Sequence, residues 1–308
     1  MKIFLGFFCC LFFSSFLLAS PLKTGTIEEK LAFMDSLVNE KDKKVSKQTA
    51  DLLSQILKSQ KASVLEKERA AWVIGQRNLR KIVDALVGGA QHKSLLVRSA
   101  SLDALMRFRA RTGLPAYIQI AQSDPSLPLR QRATLAMGLL RWEETIKPLV
   151  DLSSDPREEI RAASVLAMAA THSIKNDFRE IMKEMKEDKS PYVQARANKG
   201  WDIVTRNNKA VRSHLASSDM DIRLFAALYF HYHARKEDLT TLKESLQVEK
   251  HDEVRYELTL AIKGTKKRIK QEKQRKEAAK RRAAKKEALR KEAERKAAEE
   301  AKEKTQTP

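Results

Sequence analysis

Residues 129–137, LRQRATLAM, and residues 160–168, IRAASVLAM, carry the pattern that decides the fold. Each stretch begins with an apolar residue and an arginine, and small residues follow the arginine at offsets of three and six. The same pattern, more or less complete, is anchored at Lys67, Arg98, Arg130, Arg161, Gln194, Arg223 and Arg255. Anchors spaced 29 to 33 residues apart predict repeated units that must stack to bury their apolar faces.

The offsets of three, six and seven after each anchor place the small and apolar residues on one face of a helix. Cap signals precede several anchors, as at Ser190-Pro191 and Asp155-Pro156. A second apolar segment lies between successive anchors, for example at residues 114–122. The predicted fold class is therefore all-α, a right-handed α-solenoid of about seven helix pairs. Residues 27–38 and 45–57 are predicted to form a diverged N-terminal helical cap.

On these residues the chain resembles the HEAT-repeat family, over about residues 65–263. The resemblance implies a ladder between neighbouring repeats, made by an aspartate before each helix and an arginine within it. The positions that fit are Arg98, Asp124, Arg130, Asp155, Arg161, Arg223, Asp252 and Arg255. In the ladder that the resemblance implies, Asp155 goes with Arg161, Asp124 with Arg130 and Asp252 with Arg255. Lys67 and Gln194 depart from the arginine of the motif, which puts the ladder in doubt in their repeats.

Four segments follow from composition: a signal peptide at 1–20, the helical cap at 21–62, the repeat solenoid at 63–263 and a basic tail at 264–308. In the first segment, Lys2 precedes an apolar run of about 16 residues, which is typical of a secretory signal. An uncleaved anchor is the alternative. Both cysteines, Cys9 and Cys10, lie in this run. Cleavage of the signal would therefore leave a mature chain without a cysteine for a disulfide or a thiolate nucleophile. It would also remove the run, so no transmembrane span is expected in the mature chain.

The formal charge of +20 is concentrated at the C-terminal end. Residues 263–308 hold 19 basic and 8 acidic residues, a net charge of +11. Glutamate-to-basic pairs at i, i+4, such as Glu272–Lys276 and Glu287–Lys291, predict a solvated helix. This helix is either a solubilising end or a contact for an anionic lipid or cell-wall polymer. Nucleic acid is not the expected ligand, because an exported protein rarely meets it. The candidate contacts are Lys266, Lys267, Arg268, Lys280, Arg281, Arg282, Lys285 and Lys286.

Few residues in the repeats indicate a specific site. His231 and His233 point about 200° apart on a helix, so they do not predict a metal site, and no cofactor or catalytic motif is expected. Tyr232 and His233 stand in the most aromatic stretch of the repeats and are the candidate partner-binding residues. Phycobilin lyases, which are HEAT-like proteins, supply the enzymatic alternative, but the reactive residues common in that group are not found here.

These observations predict a non-catalytic, exported scaffold or adaptor of the periplasm or cell envelope, with secretion as the alternative location. Its repeat surface would bind a protein partner, and its basic tail would contact an anionic envelope component. The alternative is a membrane-surface or anionic-polymer binder in which the tail is the primary site and the repeats are a spacer.

Overall fold

The computed structural model describes residues 20–40, 44–171 and 177–305, which form helices and turns without any strand. The predicted signal peptide, apart from Ser20, lies outside these residues. Three helices precede the repeats: α1 (Pro21–Thr24), α2 (Ile27–Asn39) and α3 (Lys47–Lys58). The side chain of Thr26 and that of Glu29 each bond to the other residue's backbone N–H, which satisfies two donors at the start of α2.

The repeat array contains, in the described residues, thirteen further helices that alternate between anchor helices and second helices. They are α4 (Val64–Gln76), α5 (Val83–Gly89), α6 (Leu95–Phe108), α7 (Leu114–Ser123), α8 (Leu127–Leu140), α9 (Ile146–Leu152), α10 (Glu158–Thr171), α11 (Arg179–Met185), α12 (Pro191–Val204), α13 (Asn208–His214), α14 (Met220–His233), α15 (Leu239–Val248) and α16 (Asp252–Thr305). All seven anchors lie on the even-numbered helices. The prediction of an all-α array of paired helices is confirmed.

Each anchor helix buries the face that the repeat motif predicts. The residue three positions after each anchor has at most 1% of its surface exposed, at Ala70, Ser101, Ala133, Ser164, Ala197, Ala226 and Leu258. Most of these side chains are small because the next helix lies close to them. The motif therefore codes for stacking of one repeat on the next.

Helix starts follow the cap signals at one site and differ at another. Pro191 is the first residue of α12, and its N-cap Ser190 accepts a bond from the Val193 amide, as predicted. The helix α10, in contrast, begins at Glu158 and not at Pro156. The reason is a turn in which the Asp155 carboxylate accepts the Arg157 amide at 2.9 Å, which delays the first helical residue.

Contacts divide the chain into two compact units, Met1–Ala136 and Met137–Pro308. In the first unit α4 packs on α6 at a point of close approach, where a Cβ at Gly75 would lie 2.8 Å from the Ala104 Cβ. In the second unit α10 packs on α12, and α14 packs on α16. The large buried side chains there include Phe225 and Phe230.

Candidate partner-binding site

Three anchor arginines make the same bidentate ion pair with a carboxylate 26 or 27 residues further along the chain. Atoms Nε and Nη2 each donate to one carboxylate oxygen, the geometry in which guanidinium–carboxylate bonds are strongest. The pairs are Arg98–Asp124 (2.7 and 2.9 Å), Arg161–Asp188 (2.8 and 2.9 Å) and Arg223–Glu249 (2.7 and 3.2 Å). Each pair links an anchor helix to the turn before the next anchor helix.

The pairing of Asp155 with Arg161 that the family resemblance implied is therefore corrected. Arg161 takes Asp188 as its carboxylate, whereas Asp155 offers its backbone carbonyl to Nη1 at 2.9 Å. In the turn before α10, the carbonyls of Asp155 and Pro156 accept bonds from the guanidinium. The Asp155 carboxylate accepts the Arg157 amide instead. In this repeat, the main chain of Asp155 thus supports Arg161.

The other ladder candidates also bond to carbonyls near their own helices. Arg130 donates from Nε to the Ala121 carbonyl at 2.9 Å. Arg255 donates from Nη1 to the carbonyls of Leu246 and Glu249, at 3.1 and 2.7 Å, while Asp252 is the first residue of α16.

Asp188 and Glu249 were missed by the sequence reasoning, although a signal existed. Each stands six residues before an anchor, as Asp124 and Asp155 do. Each also accepts the amide of the residue two positions later, Ser190 for Asp188, at 2.8 Å. The spacing was missed at Glu249 because this acid is not an aspartate. It was missed at Asp188 because the anchor that follows, Gln194, is not an arginine.

The two repeats with non-arginine anchors replace the ladder in different ways. Lys67 places Nζ 3.2 Å from Nε2 of His92, which stands six residues before its anchor, the offset at which four other repeats have an acid. Gln194 keeps only the carbonyl contact, donating to the Asp188 carbonyl at 2.6 Å. The charged link from α12 comes instead from Arg196, whose Nη2 donates to Asp219 and Asp221 at 2.7 and 2.9 Å.

A different set of residues forms a small cavity in the second unit. Arg141, Arg206 and His233 line it together with Tyr229 and the apolar side chains Ala169, Ala170, Ile203, Phe225 and Leu228. Its volume is about 20 Å³. A space of this size admits roughly one water molecule or the end of one side chain.

Arg141 and Arg206 both hold the left-handed backbone conformation, with φ of 54° and 56°. Each follows the C-terminal end of an anchor helix, a position at which glycine or asparagine is usual. A branched or long residue costs on the order of 1–2 kcal/mol there. Asn78 and Arg109 have the same conformation in the first unit.

Aromatic rings form the border of the cavity. The rings of Tyr229 and His233 are 4.8 Å apart, and the Tyr229 hydroxyl bonds to Asn208 Oδ1. Tyr232 is 44% exposed, and the Arg141 guanidinium lies 4.1 Å from its ring centroid. Of the two sequence candidates, Tyr232 thus lies on the surface and His233 faces the cavity.

The cavity is electropositive. Burial and then the charges of Arg206, Arg141 and Arg268 lower the pKa of His233 to about 4. Arg268, expected on the anionic-surface list, instead donates to the His231 and Ala234 carbonyls at 3.0 and 3.1 Å. Within the described part of the chain, no carboxylate lies in ion-pair distance of Arg141 or Arg206.

The lowered pKa predicts that acid destabilises the second unit. Between pH 6.5 and about pH 4 the unfolded chain binds a proton at His233 that the folded chain does not, so the free energy of unfolding falls as pH falls. At about 1.4 kcal/mol per pKa unit the upper bound is about 3 kcal/mol, and solvent screening of this partly exposed ring lowers the expected loss to about 1–2 kcal/mol. Urea unfolding at pH 7.5 and pH 4.5 should show a smaller loss for His233→Gln than for wild type. An equal loss would rule His233 out as the cause.

The remaining candidate contacts lie on the long C-terminal helix. Residues 270–295 of α16 have exposed side chains throughout, including Lys280, Arg281, Arg282, Lys285 and Lys286. Lys266 and Lys267 are also exposed, next to the buried Thr265. The predicted pairs Glu272–Lys276 and Glu287–Lys291 form, at 2.7 and 3.0 Å. No helix in the described ranges has both the length and the apolar character for a membrane span.

Comparison with known proteins supports the repeat assignment. A family model of HEAT repeats matches residues 49–138 and 114–200. A search of curated proteins gave no match.

Solved structures with some similarity include the complex of CpcE and CpcF of phycocyanin lyase from Nostoc sp. PCC7120, at 17% identity and a TM-score of 0.47. That match covers 71% of this chain and 96% of the other. YibA of Escherichia coli is 14% identical, with a TM-score of 0.40, over 73% of this chain and 83% of that one. A designed armadillo repeat protein is 16% identical, with a TM-score of 0.35, over 69% and 98%.

The family-model match and the helix pairs describe the same repeats. The first matched segment begins within α3, and the second ends within α12. Six of the seven anchors keep a basic side chain, and three form the inter-repeat ladder. The repeats over residues 49–200 belong to the HEAT-repeat family.

Proposed function

We propose that this protein is a non-catalytic adaptor that binds a protein partner through the surface around Tyr232 and His233. The observation that carries the proposal is the exposed ring of Tyr232 beside the Arg141 guanidinium, at the border of an electropositive cavity. Tyrosine and arginine are among the residue types most enriched in protein-binding hot spots. Helical repeats stack into a rigid support that holds such a surface in place.

A second candidate function is contact of the C-terminal helix with an anionic lipid or cell-wall polymer. It is favoured by the exposed basic residues of α16 between residues 270 and 295. At 1.5 Å per residue, residues 270–305 extend over about 54 Å. Such an arm would attract an anionic surface in a salt-dependent way.

The proposed location is the periplasm or the cell envelope. Its support is the apolar run after Lys2 in the sequence. Fractionation of cells, with immunodetection of the full chain, tests the location directly.

Site-specific photo-crosslinking in the cells that make the protein tests the adaptor role. A photoreactive residue at position 232 should give discrete protein adducts, because an exposed hot-spot ring contacts the partner. The same residue in place of Val248, which is 77% exposed, is the matched control and should give none. Equal adducts at both positions would argue against a specific surface at Tyr232.

Deletion of residues 270–308 distinguishes the two functions. The deletion keeps the buried Thr265 and also Arg268, whose guanidinium donates to the His231 carbonyl of α14. In the adaptor function, adducts at position 232 persist while sedimentation with anionic vesicles is lost. Loss of both would make the helix the primary site.

A further inference from the structure

We infer that the cavity lined by Arg141, Arg206 and His233 is a carboxylate-binding pocket that receives one acidic side chain of a protein partner. The inference rests on the proposed adaptor function and adds the chemistry of what is bound.

The first argument is uncompensated charge. Arg141 and Arg206 line the cavity, and neither has a carboxylate partner among the described residues. The charge of Arg268 also contributes to the lowered pKa of His233. Its guanidinium donates only to neutral groups among the described residues, namely carbonyl oxygens and the Thr265 hydroxyl. By contrast, Arg98, Arg161 and Arg223 each form a bidentate ion pair with a carboxylate. An anion from outside would supply the missing countercharge.

The second argument is the backbone of the two arginines. Both hold the left-handed conformation that glycine would adopt at lower cost. Arg109 has the same conformation, so the backbone alone does not define a pocket. What distinguishes Arg141 and Arg206 is that two such residues, from the ends of α8 and α12, line one cavity. Strained residues that converge on a cavity point to a binding role.

The third argument is size and lining. A volume of about 20 Å³ suits the flat end of a carboxylate and is small for a tetrahedral phosphate with its ester. Apolar walls, Ala170 and Leu228 among them, strengthen an ion pair by excluding water. The exposed ring of Tyr232 beside Arg141 offers a flat surface for the stem of the incoming side chain. These features favour an aspartate or glutamate of a protein over a lipid headgroup.

Binding of a fluorescent heptaglutamate peptide to the full chain at physiological salt tests the pocket. The variant R141Q/R206Q should bind about tenfold more weakly, because both charge-assisted bonds are lost. The matched control K147Q/K183Q removes two exposed cations from α9 and α11, outside both proposed sites, and should change binding less than twofold. Equal weakening by this control would overturn the proposal.

A charge-neutral variant keeps the test independent of folding and of general electrostatics. Ala170→Leu fills the cavity without removing a cation, and it should weaken peptide binding about as much as R141Q/R206Q. Thermal melts verify that each variant is folded. Undiminished binding by a folded Ala170→Leu variant would show that the peptide binds elsewhere.

Two competitors identify the ligand. Inorganic phosphate or phosphatidylglycerol vesicles should displace the peptide no better from wild type than from R141Q/R206Q. Displacement specific to wild type would assign a phosphate or lipid site instead. Adducts at position 232 that persist in R141Q/R206Q, with unchanged peptide binding, would refute the pocket and leave the adaptor function standing.

Discussion

Replacement of Arg161 by alanine is expected to lower the free energy of unfolding by about 3 kcal/mol, because it leaves a buried carboxylate without its partner. The side chains of Arg161 and Asp188 are 7% and 8% exposed. The guanidinium also donates to the carbonyls of Asp155 and Pro156, which lose their donor too. Urea unfolding followed by circular dichroism measures the loss.

Two further variants separate the ion pair from a general loss of charge. Arg179 pairs with Asp177 but is 55% exposed, so Arg179→Ala should leave the melting temperature unchanged. The double variant Arg161→Met with Asp188→Leu should regain most of the stability, since an apolar pair needs no compensating charge. A single variant as stable as Arg179→Ala would show that the ladder contributes nothing.

Replacement of Gly138 by alanine is expected to destabilise the second unit by about 2 kcal/mol, through overpacking. A Cβ at Gly138 would lie 2.5 Å from the Ala167 Cα and 2.7 Å from its Cβ. Because the obstacle is the backbone of α10, no side-chain rotation relieves it, and the helices must separate. This cost should exceed the helix propensity gained by alanine, about 1 kcal/mol.

The matched control for this variant is Gly88→Ala. Gly88 is exposed on α5, and a Cβ added there would meet no neighbouring atom within 4 Å, so alanine should raise stability by up to about 1 kcal/mol. Thermal unfolding of both variants gives the comparison. Opposite shifts are expected, and a stabilised Gly138→Ala would show that α8 and α10 separate without cost.

The sequence predicted the helices well because their signal is local. Residues 27–38 were predicted for α2, which spans Ile27–Asn39. The helix α13 (Asn208–His214) was implied as the second member of its pair but given no bounds, since its seven residues include only one buried aliphatic side chain larger than alanine, Val211. A short polar helix has no periodicity to detect, and its neighbours hold it in place.

The sequence also singled out Tyr232 and His233 but could not say what surrounds them. Arg141 precedes Tyr232 by 91 residues, yet the guanidinium and the ring are in contact. Arg268 seemed a surface cation by composition, whereas the carbonyls of His231 and Ala234 fix it beside α14. Both placements depend on how helices pack, which no local pattern specifies.

By itself, the sequence determined the repeat period, the buried face of each anchor helix and the charged C-terminal helix, because these depend on helical spacing and local charge. Only the tertiary structure decided which acid each arginine meets, because the guanidinium of Arg161 reaches forward to Asp188 in the next turn while Asp155 turns its carbonyl toward it. It also decided that Arg141, Arg206 and His233 share one cavity. Residues from different helices become neighbours only when the repeats stack, and stacking is a property of the whole array.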